Sequence, residues 1–178
     1  MRLARQWAGL PVSSSKNSLN DDPDHKVVIA SWYFWNAGYP MQKTQLGLLQ
    51  SLLYQILRNC SELIQDALPG RWAADTIAGQ HPDPWTREGL LAAFNGVLKH
   101  HSLKARFVFF IDGLDEYEGD HYTLIRELQQ LAETSNVKLC VSSRPWNAFT
   151  SAYGQHKDRQ LVLQQHSQVG TYIDGCIP

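Results

Sequence analysis

The most constraining feature of the chain is a run of five apolar residues, Phe107–Ile111, that leads directly into Asp112, Gly113 and a short acidic segment, residues 114–116. An unbroken apolar run of this length is typical of a parallel strand that is buried on both faces of a sheet. Open α/β sheets bind their ligands at the carboxyl ends of such strands. The run therefore predicts a buried strand with Asp112 at the ligand-binding edge.

Strand and helix patterns alternate along the rest of the chain. Strands are predicted for residues 27–35, 107–111, 137–143 and 160–164. Helices are predicted for residues 44–58, for a short segment from Ser61 that Pro69 and Gly70 end, for residues 86–100, for residues 124–131, and from His166 or Ser167 onward. The alternation predicts an α/β fold with a parallel sheet and right-handed crossovers. Residues 11–25 are rich in Ser, Asn, Asp and Pro, so residues 1–26 are expected to be a disordered leader or linker and residues 27–178 one domain.

Composition limits the class of protein. The 178 residues, 43% of them hydrophobic, suffice for one core. A net charge of −1 lacks the basic footprint of a nucleic-acid binder, and the sequence has neither a membrane-spanning run nor a signal peptide. The three cysteines have no metal-binding or redox spacing, which favours reduced thiols. We therefore expect a cytoplasmic protein that contacts neither nucleic acid nor membrane.

The acidic segment suggests phosphate chemistry. Mg²⁺ takes one or two carboxylates together with water and phosphate oxygens, and Asp112 is placed to supply one. Asp115 or Glu116 could orient or deprotonate a water for attack on a terminal phosphate. Arg144 ends the neighbouring strand and could sense or stabilise phosphate charge. The alternative is that Asp112-Gly113 is only a turn before a capped helix; a calcium loop fits poorly, because the spacing of the EF-hand ligands is absent.

Three other features favour structural interpretations. Residues 32–35 are aromatic and could stack on bases, but without a basic groove a core strand is the better interpretation. His100 and His101 point about 100° apart on a helix and have no third ligand at a suitable spacing, which indicates a polar helix end rather than a metal site. Ser142 and Ser143 lack the G-x-S-x-G elbow of a hydrolase nucleophile.

Several of these segments together resemble a known family. Residues 109–117 (FFIDGLDEY), followed by residues 138–146 (KLCVSSRPW), resemble the NACHT-type NTPase domain, and within that group the nephrocystin-like N-terminal module of fungal NOD-like receptors. Further matches are residues 30–36 (ASWYFWN), the helix at residues 45–57, and residues 161–163 leading to His166. The resemblance covers about residues 27–177.

The resemblance implies a fold, a function and residue roles. The fold is a three-layer P-loop NTPase-like parallel sheet flanked by helices. The domain would be an ATP or GTP switch, with Mg²⁺, that controls oligomerisation and signalling between an N-terminal effector domain and C-terminal ankyrin, WD40 or TPR repeats. By resemblance, Asp112 is the Walker B magnesium residue, Asp115 and Glu116 are the hydrolytic acids, and Arg144 is the sensor arginine. Protein partners or self-association are expected.

The chain departs from the family pattern at the phosphate-binding loop. No G-x-x-x-x-G-K-[ST] motif occurs, and residues 9–18 lack the second glycine and the adjacent Gly-Lys. In the family the P-loop strand lies between the sensor strand and the last strand, so its loss would leave two unpaired edges. The chain could close the gap by rearranging, borrow a strand from another chain, or aggregate. We expect an incomplete domain, a fragment of a nucleotide switch that hydrolyses poorly or not at all; the alternative is a pseudo-NTPase that acts through protein partners.

Overall fold

The computed structural model describes residues 25–76, 84–100, 104–154, 160–164 and 171–177. In these ranges, five strands form one sheet in the order β1-β2-β3-β5-β4. They are β1 (Lys26–Tyr33), β2 (Ala105–Asp112), β3 (Val137–Ser143), β4 (Gln160–Gln164) and β5 (Thr171–Ile177). β1 pairs with β2 and β2 with β3, both in parallel. The predicted α/β fold with a parallel sheet flanked by helices is confirmed.

The helices connect the parallel strands. They are α1 (Gln45–Asn59), α2 (Ile64–Ala67), α3 (Pro69–Thr76), α4 (Arg87–Leu98), α5 (His121–Ala132) and α6 (Asn147–Tyr153). Short 3₁₀ turns cover Pro40–Lys43, Ser61–Leu63 and Leu114–Glu116. The starts of α1 and α4 follow from their N-caps, since the hydroxyls of Thr44 and Thr86 accept hydrogen bonds from the amides of Gly47 and Gly89.

Two features of the fold differ from the prediction. The short helical segment from Ser61 ends before Pro69 as expected, at Ala67, but Pro69 also begins a further helix, α3, because proline fits the first turn of a helix, where its missing N–H would have no partner. The segment expected to be helical after His166 contains strand β5 instead, from Thr171 to Ile177. Its β-branched residues suit a strand, and the sheet offers it two neighbours.

The position of β5 changes the topology. It lies between β3 and β4 and is antiparallel to both, so β4 runs parallel to β3 although β5 separates them. The four strands predicted from the sequence therefore run in one direction, and the antiparallel β5 is a strand that was not predicted from the sequence. The edge of β3 that the resemblance would leave open is paired with β5. Backbone N–H and C=O groups at a buried edge need partners, and here the chain's own last strand supplies them.

The main core lies on one face of the sheet. It contains alternate residues of the strands, such as Val28, Phe109 and Leu139, together with the inner faces of α1, α4 and α5. A smaller cluster of Val27, Val108 and Phe110 consists of strand residues that alternate with these and so lie on the other face.

The outer edge of β1 is covered by a side chain of α1. The amide of Gln55 donates to the carbonyl oxygen of Ser31 at 2.8 Å and accepts from the Ser31 N–H at 3.0 Å. These two bonds occupy the backbone groups of Ser31 that a neighbouring strand would otherwise bind, so this edge is less able to pair with another strand.

Candidate functional site

Asp112 lies at the carboxyl end of β2 and is exposed to solvent. Its backbone oxygen accepts a hydrogen bond of 2.9 Å from the N–H of Phe34, which extends the β1–β2 pairing to the end of the strand. The hydroxyl of Ser142, near the end of β3, donates to its Oδ1. Asp112 therefore lies at the edge of the sheet where the parallel strands β1, β2 and β3 all end.

Gly113 makes the turn after Asp112 possible. Its φ of 72° lies in the left-handed region, and a Cβ placed there would be 2.9 Å from the carbonyl oxygen of Phe34. Both the backbone conformation and the close approach of β1 require glycine. The turn leads into the 3₁₀ segment Leu114–Glu116, which directs the next two acids back toward the sheet.

Asp115 is engaged with Arg144. The Asp115 side chain is 4% exposed, and its Oδ2 lies 3.2 Å from Nε of Arg144. Its Oδ1 accepts from the backbone N–H of Arg144 at 2.9 Å, and the Ser143 hydroxyl lies 3.4 Å from the same oxygen. These three polar contacts hold the Asp115 carboxylate in one position. Asp115 thus ties the turn after β2 to the end of β3.

Glu116 connects the same turn to the segment after β1. Its Oε2 accepts a 2.7 Å hydrogen bond from the backbone N–H of Asn36, and its Oε1 lies 3.8 Å from Nη2 of Arg144. The Arg144 guanidinium is 56% exposed, so its charge faces both acids and solvent. The four residues singled out from the sequence, Asp112, Asp115, Glu116 and Arg144, are therefore brought to one edge of the sheet.

The donor set decides which cation the site could hold. In the described ranges, no group of three or more His, Cys, Asp and Glu side chains is arranged around a metal position. Asp112, beside the Ser142 hydroxyl, is compatible only with a cation that brings most of its own ligands, as Mg²⁺ does with water and phosphate oxygens. The residues present fit a Mg²⁺–phosphate complex and do not fit a self-sufficient metal centre.

The strand beside β3 runs the wrong way to present a phosphate loop. A phosphate-binding loop follows the carboxyl end of a parallel strand and opens a helix. β5 is antiparallel, so its first residues lie at the edge that carries Asp112, and Ile177 pairs with Leu139 toward the opposite edge. Residues 9–18, the segment compared with a phosphate loop, lie outside the described residues.

Two contacts of the site could not be identified from the sequence. The polar residues that end β3, Ser142 among them, indicate an edge site, but the contact of the Ser142 hydroxyl with Asp112 depends on the register of β2 and β3. Asn36 belongs to the Asn-Ala-Gly turn after β1, and its contact with Glu116 depends on a pairing between distant segments. His100, considered as a metal ligand, lies 3.3 Å from the Asp66 carboxylate through Nε2, and His101 lies outside the described residues.

The comparisons with known proteins identify the family. The model of the family described as nephrocystin 3, N-terminal matches residues 12–144 of the 178. The chain belongs to this family. The matched part of this nephrocystin 3 N-terminal domain contains β1 to β3 and all four site residues, whereas β4 and β5 follow it. No curated protein matches the chain. Among the described residues, no helix is long and apolar enough to cross a membrane.

Proposed function

We propose that this domain is a NACHT-type nucleotide-switch module that binds Mg²⁺–nucleotide weakly and does not hydrolyse it as the chain stands. The observation that carries the proposal is the convergence of four residues at one sheet edge: Asp112, Asp115, Glu116 and Arg144. Of the three acids, Asp112 is the exposed one, and its side chain accepts a hydrogen bond from the Ser142 hydroxyl. Mg²⁺ would supply charge neutralisation between the phosphates of ATP or GTP. Asp112 would hold the cation, and the exposed guanidinium of Arg144 would contact a phosphate.

The absence of hydrolysis follows from what the two other acids do. A general base must be able to reach the proton of the attacking water. Both oxygens of Asp115 face Arg144, and Glu116 accepts from Asn36 and faces the same guanidinium. Because a stabilised ion pair must first be broken, neither carboxylate is poised as a base in this arrangement. The sequence also has no G-x-x-x-x-G-K-[ST] loop to hold the phosphates.

The test is the binding of fluorescent ATP and GTP analogues to the folded chain, with and without Mg²⁺, next to a phosphate-release assay. We expect Mg²⁺-dependent binding that Asp112→Asn weakens by about tenfold or more, equivalent to ~1.4 kcal/mol. Glu133→Gln is the matched control, since Glu133 is an exposed carboxylate beyond the end of α5. No phosphate release is expected from any of the three proteins.

Two results would contradict the proposal. Binding that is equally strong in Asp112→Asn would remove Asp112 as the magnesium residue. Phosphate release that disappears in Asp115→Asn would show that the ion pair opens and that Asp115 acts in hydrolysis. A folded chain that binds neither analogue would support the second candidate below.

The second candidate is a pseudo-NTPase that acts through protein contacts, including self-association. The supporting observation is a set of four exposed apolar side chains at the end of β1 and in the segment that follows it: Tyr33 (60% exposed), Trp35 (53%), Tyr39 (82%) and Met41 (41%). Exposed apolar groups of this size at one end of a sheet are typical of an interaction surface. Sedimentation velocity over a wide range of protein concentration should show self-association that Tyr39→Ser reduces and Tyr54→Ser, on the exposed side of α1, leaves unchanged.

A further inference from the structure

Two cysteines that are distant in the sequence are neighbours in the sheet. In the antiparallel pair of β3 and β5, Cys140 is directly opposite Cys176. The chain has three cysteines, and the third, Cys60, is fully buried at the end of α1. The sequence alone offered no redox spacing, because the relation between Cys140 and Cys176 exists only through strand pairing.

The type of pairing can be read from the neighbouring strand. The N–H of Phe107 donates to the carbonyl oxygen of Asn136 at 2.7 Å, so Asn136 and every second residue after it, including Cys140, direct their backbone groups toward β2. Cys140 therefore forms no backbone hydrogen bond with β5, and its position opposite Cys176 is a non-hydrogen-bonded pair. In such pairs the Cα atoms are about 4.5 Å apart and the side chains are close. This separation falls within the range that disulfides use.

The surroundings of the cysteines differ in a way that favours this pair. Cys140 is half-buried and belongs to the alternate residues of β3 that lie on the sheet face away from the main core. Cys60 is inside that core, and burial raises the pKa of its thiol. Since the thiolate is the reactive form, Cys60 is protected from oxidation in two ways: oxidants cannot reach its buried side chain, and its raised pKa keeps the thiol protonated.

We propose that Cys140 and Cys176 form a reversible cross-strand disulfide that locks β5 in its position between β3 and β4. With a hydroperoxide as oxidant, one thiolate attacks one of the two peroxide oxygens, which stays on sulfur as the sulfenic acid, while the O–O bond breaks and the other oxygen takes up a proton and leaves as water or alcohol. The second thiol attacks that sulfur and releases water, so two thiols lose two electrons and two protons, and the peroxide is reduced. A dithiol reductant returns both thiols by exchange.

The disulfide would control whether β5 can leave its position in the sheet. Among the described strands, β5 alone runs antiparallel to its neighbours, and it fills the position between β3 and β4, which run parallel to each other. The oxidised form cannot release β5, whereas the reduced form holds it only by pairing and packing. Oxidation thus determines whether the edge of β3 can become available to another strand.

The experiment compares the reduced and peroxide-treated full-length chain by intact mass and by peptide mapping without reduction. We expect the wild type and Cys60→Ser to lose the mass of two hydrogen atoms and to yield one linked peptide pair containing Cys140 and Cys176. Cys140→Ser and Cys176→Ser should yield no such pair. The link should form faster in the native protein than in guanidinium, because native pairing holds the two positions together.

A thermal measurement separates a native link from an adventitious one. Closing the loop between Cys140 and Cys176 restricts the unfolded chain, so oxidation should raise the Tm of Cys60→Ser by about 10 °C. Cys176→Ser, checked for folding by circular dichroism, should show no such rise. Links that involve Cys60, links only between two chains, equal rates in guanidinium, or an unchanged Tm would each overturn the proposal.

Discussion

Two carboxylates of the candidate site, Asp112 and Asp115, have different surroundings although they are close in the chain. Asp112 is exposed, whereas the side chain of Asp115 is 4% exposed and accepts hydrogen bonds from Arg144. From the sequence, both are predicted to act on a nucleotide, Asp112 through magnesium and Asp115 in hydrolysis. The structure separates a carboxylate that is available to a ligand from one that holds two strand ends together.

This difference predicts that alanine substitution affects stability strongly at Asp115 and little at Asp112. Asp115→Ala removes a buried carboxylate that accepts from the Arg144 N–H and lies against its guanidinium, and should lower the free energy of unfolding by about 2–3 kcal/mol. Asp112→Ala should change it by less than about 0.5 kcal/mol, as is usual at exposed positions. Urea unfolding of both variants measures this; equal effects would show that Asp115 has no structural role.

Two glycines predict stability changes of opposite sign. Gly113→Ala places a side chain at φ 72° and a Cβ 2.9 Å from the Phe34 oxygen, and should cost about 1–3 kcal/mol. Gly96→Ala, within α4 and with nothing near its Cβ, should stabilise by about 0.5–1 kcal/mol. Chemical denaturation of the two variants beside the wild type gives both numbers. A stable Gly113→Ala variant would contradict the tight turn.

At the scale of elements, α1 protects the edge of β1 through one side chain. Gln55→Ala removes both hydrogen bonds to Ser31 and should lower the free energy of unfolding by about 1–2 kcal/mol. Gln50→Ala, on the exposed side of the same helix, is the matched control and should have little effect. Hydrogen exchange should accelerate at the Ser31 amide in Gln55→Ala only; unchanged exchange there would mean that the edge is protected by other groups.

The N-cap of α5 predicts a pH dependence. Hydrogen bonds from the side chain and then the backbone N–H of Thr123 lower the pKa of Asp120 from its ordinary value of 3.8. A carboxyl whose folded pKa is lowered stabilises the fold above its unfolded pKa and loses that contribution as the pH falls through the folded value. Asp120→Asn keeps a capping oxygen without the titration. The urea midpoint of the wild type should exceed that of Asp120→Asn near neutral pH, and the difference should vanish in acid; a difference that persists would exclude the charge as its cause.

At the scale of the whole molecule, one strand completes the sheet. β4 pairs with β5 and β5 with β3, so β5 is the link between β4 and the parallel strands in the described residues. Removing residues 171–178 should lower the Tm by about 10 °C or more and cause aggregation, because the edge of β3 opens. Removing Pro178 alone should change neither. Thermal unfolding with light scattering measures both effects; a truncated chain that stays monomeric with the original Tm would contradict the bridging role.

Local signals account for what the sequence predicted correctly. The strands at residues 26–33, 105–112 and 137–143 and the helices capped by Thr44 and Thr86 follow from side-chain periodicity and from the hydrogen-bonding capacity of single residues. The meeting of Asp112 and Arg144 at one edge followed from the rule that parallel strands end together. Helix α3 was not predicted, because a proline that ends one helix can also begin the next.

The sequence by itself determined the family, the parallel strands β1 to β3 and the residues of the candidate site, since each depends on patterns within short segments. Only the tertiary structure decided three features: the antiparallel insertion of β5, the engagement of Asp115 and Glu116 by Arg144 and Asn36, and the pairing of Cys140 with Cys176. Each depends on contacts between segments far apart in the chain. Which segments meet, and in which direction and register strands pair, depends on competition among all available partners for backbone hydrogen bonds and burial. A pattern within one short segment contains no information about that competition.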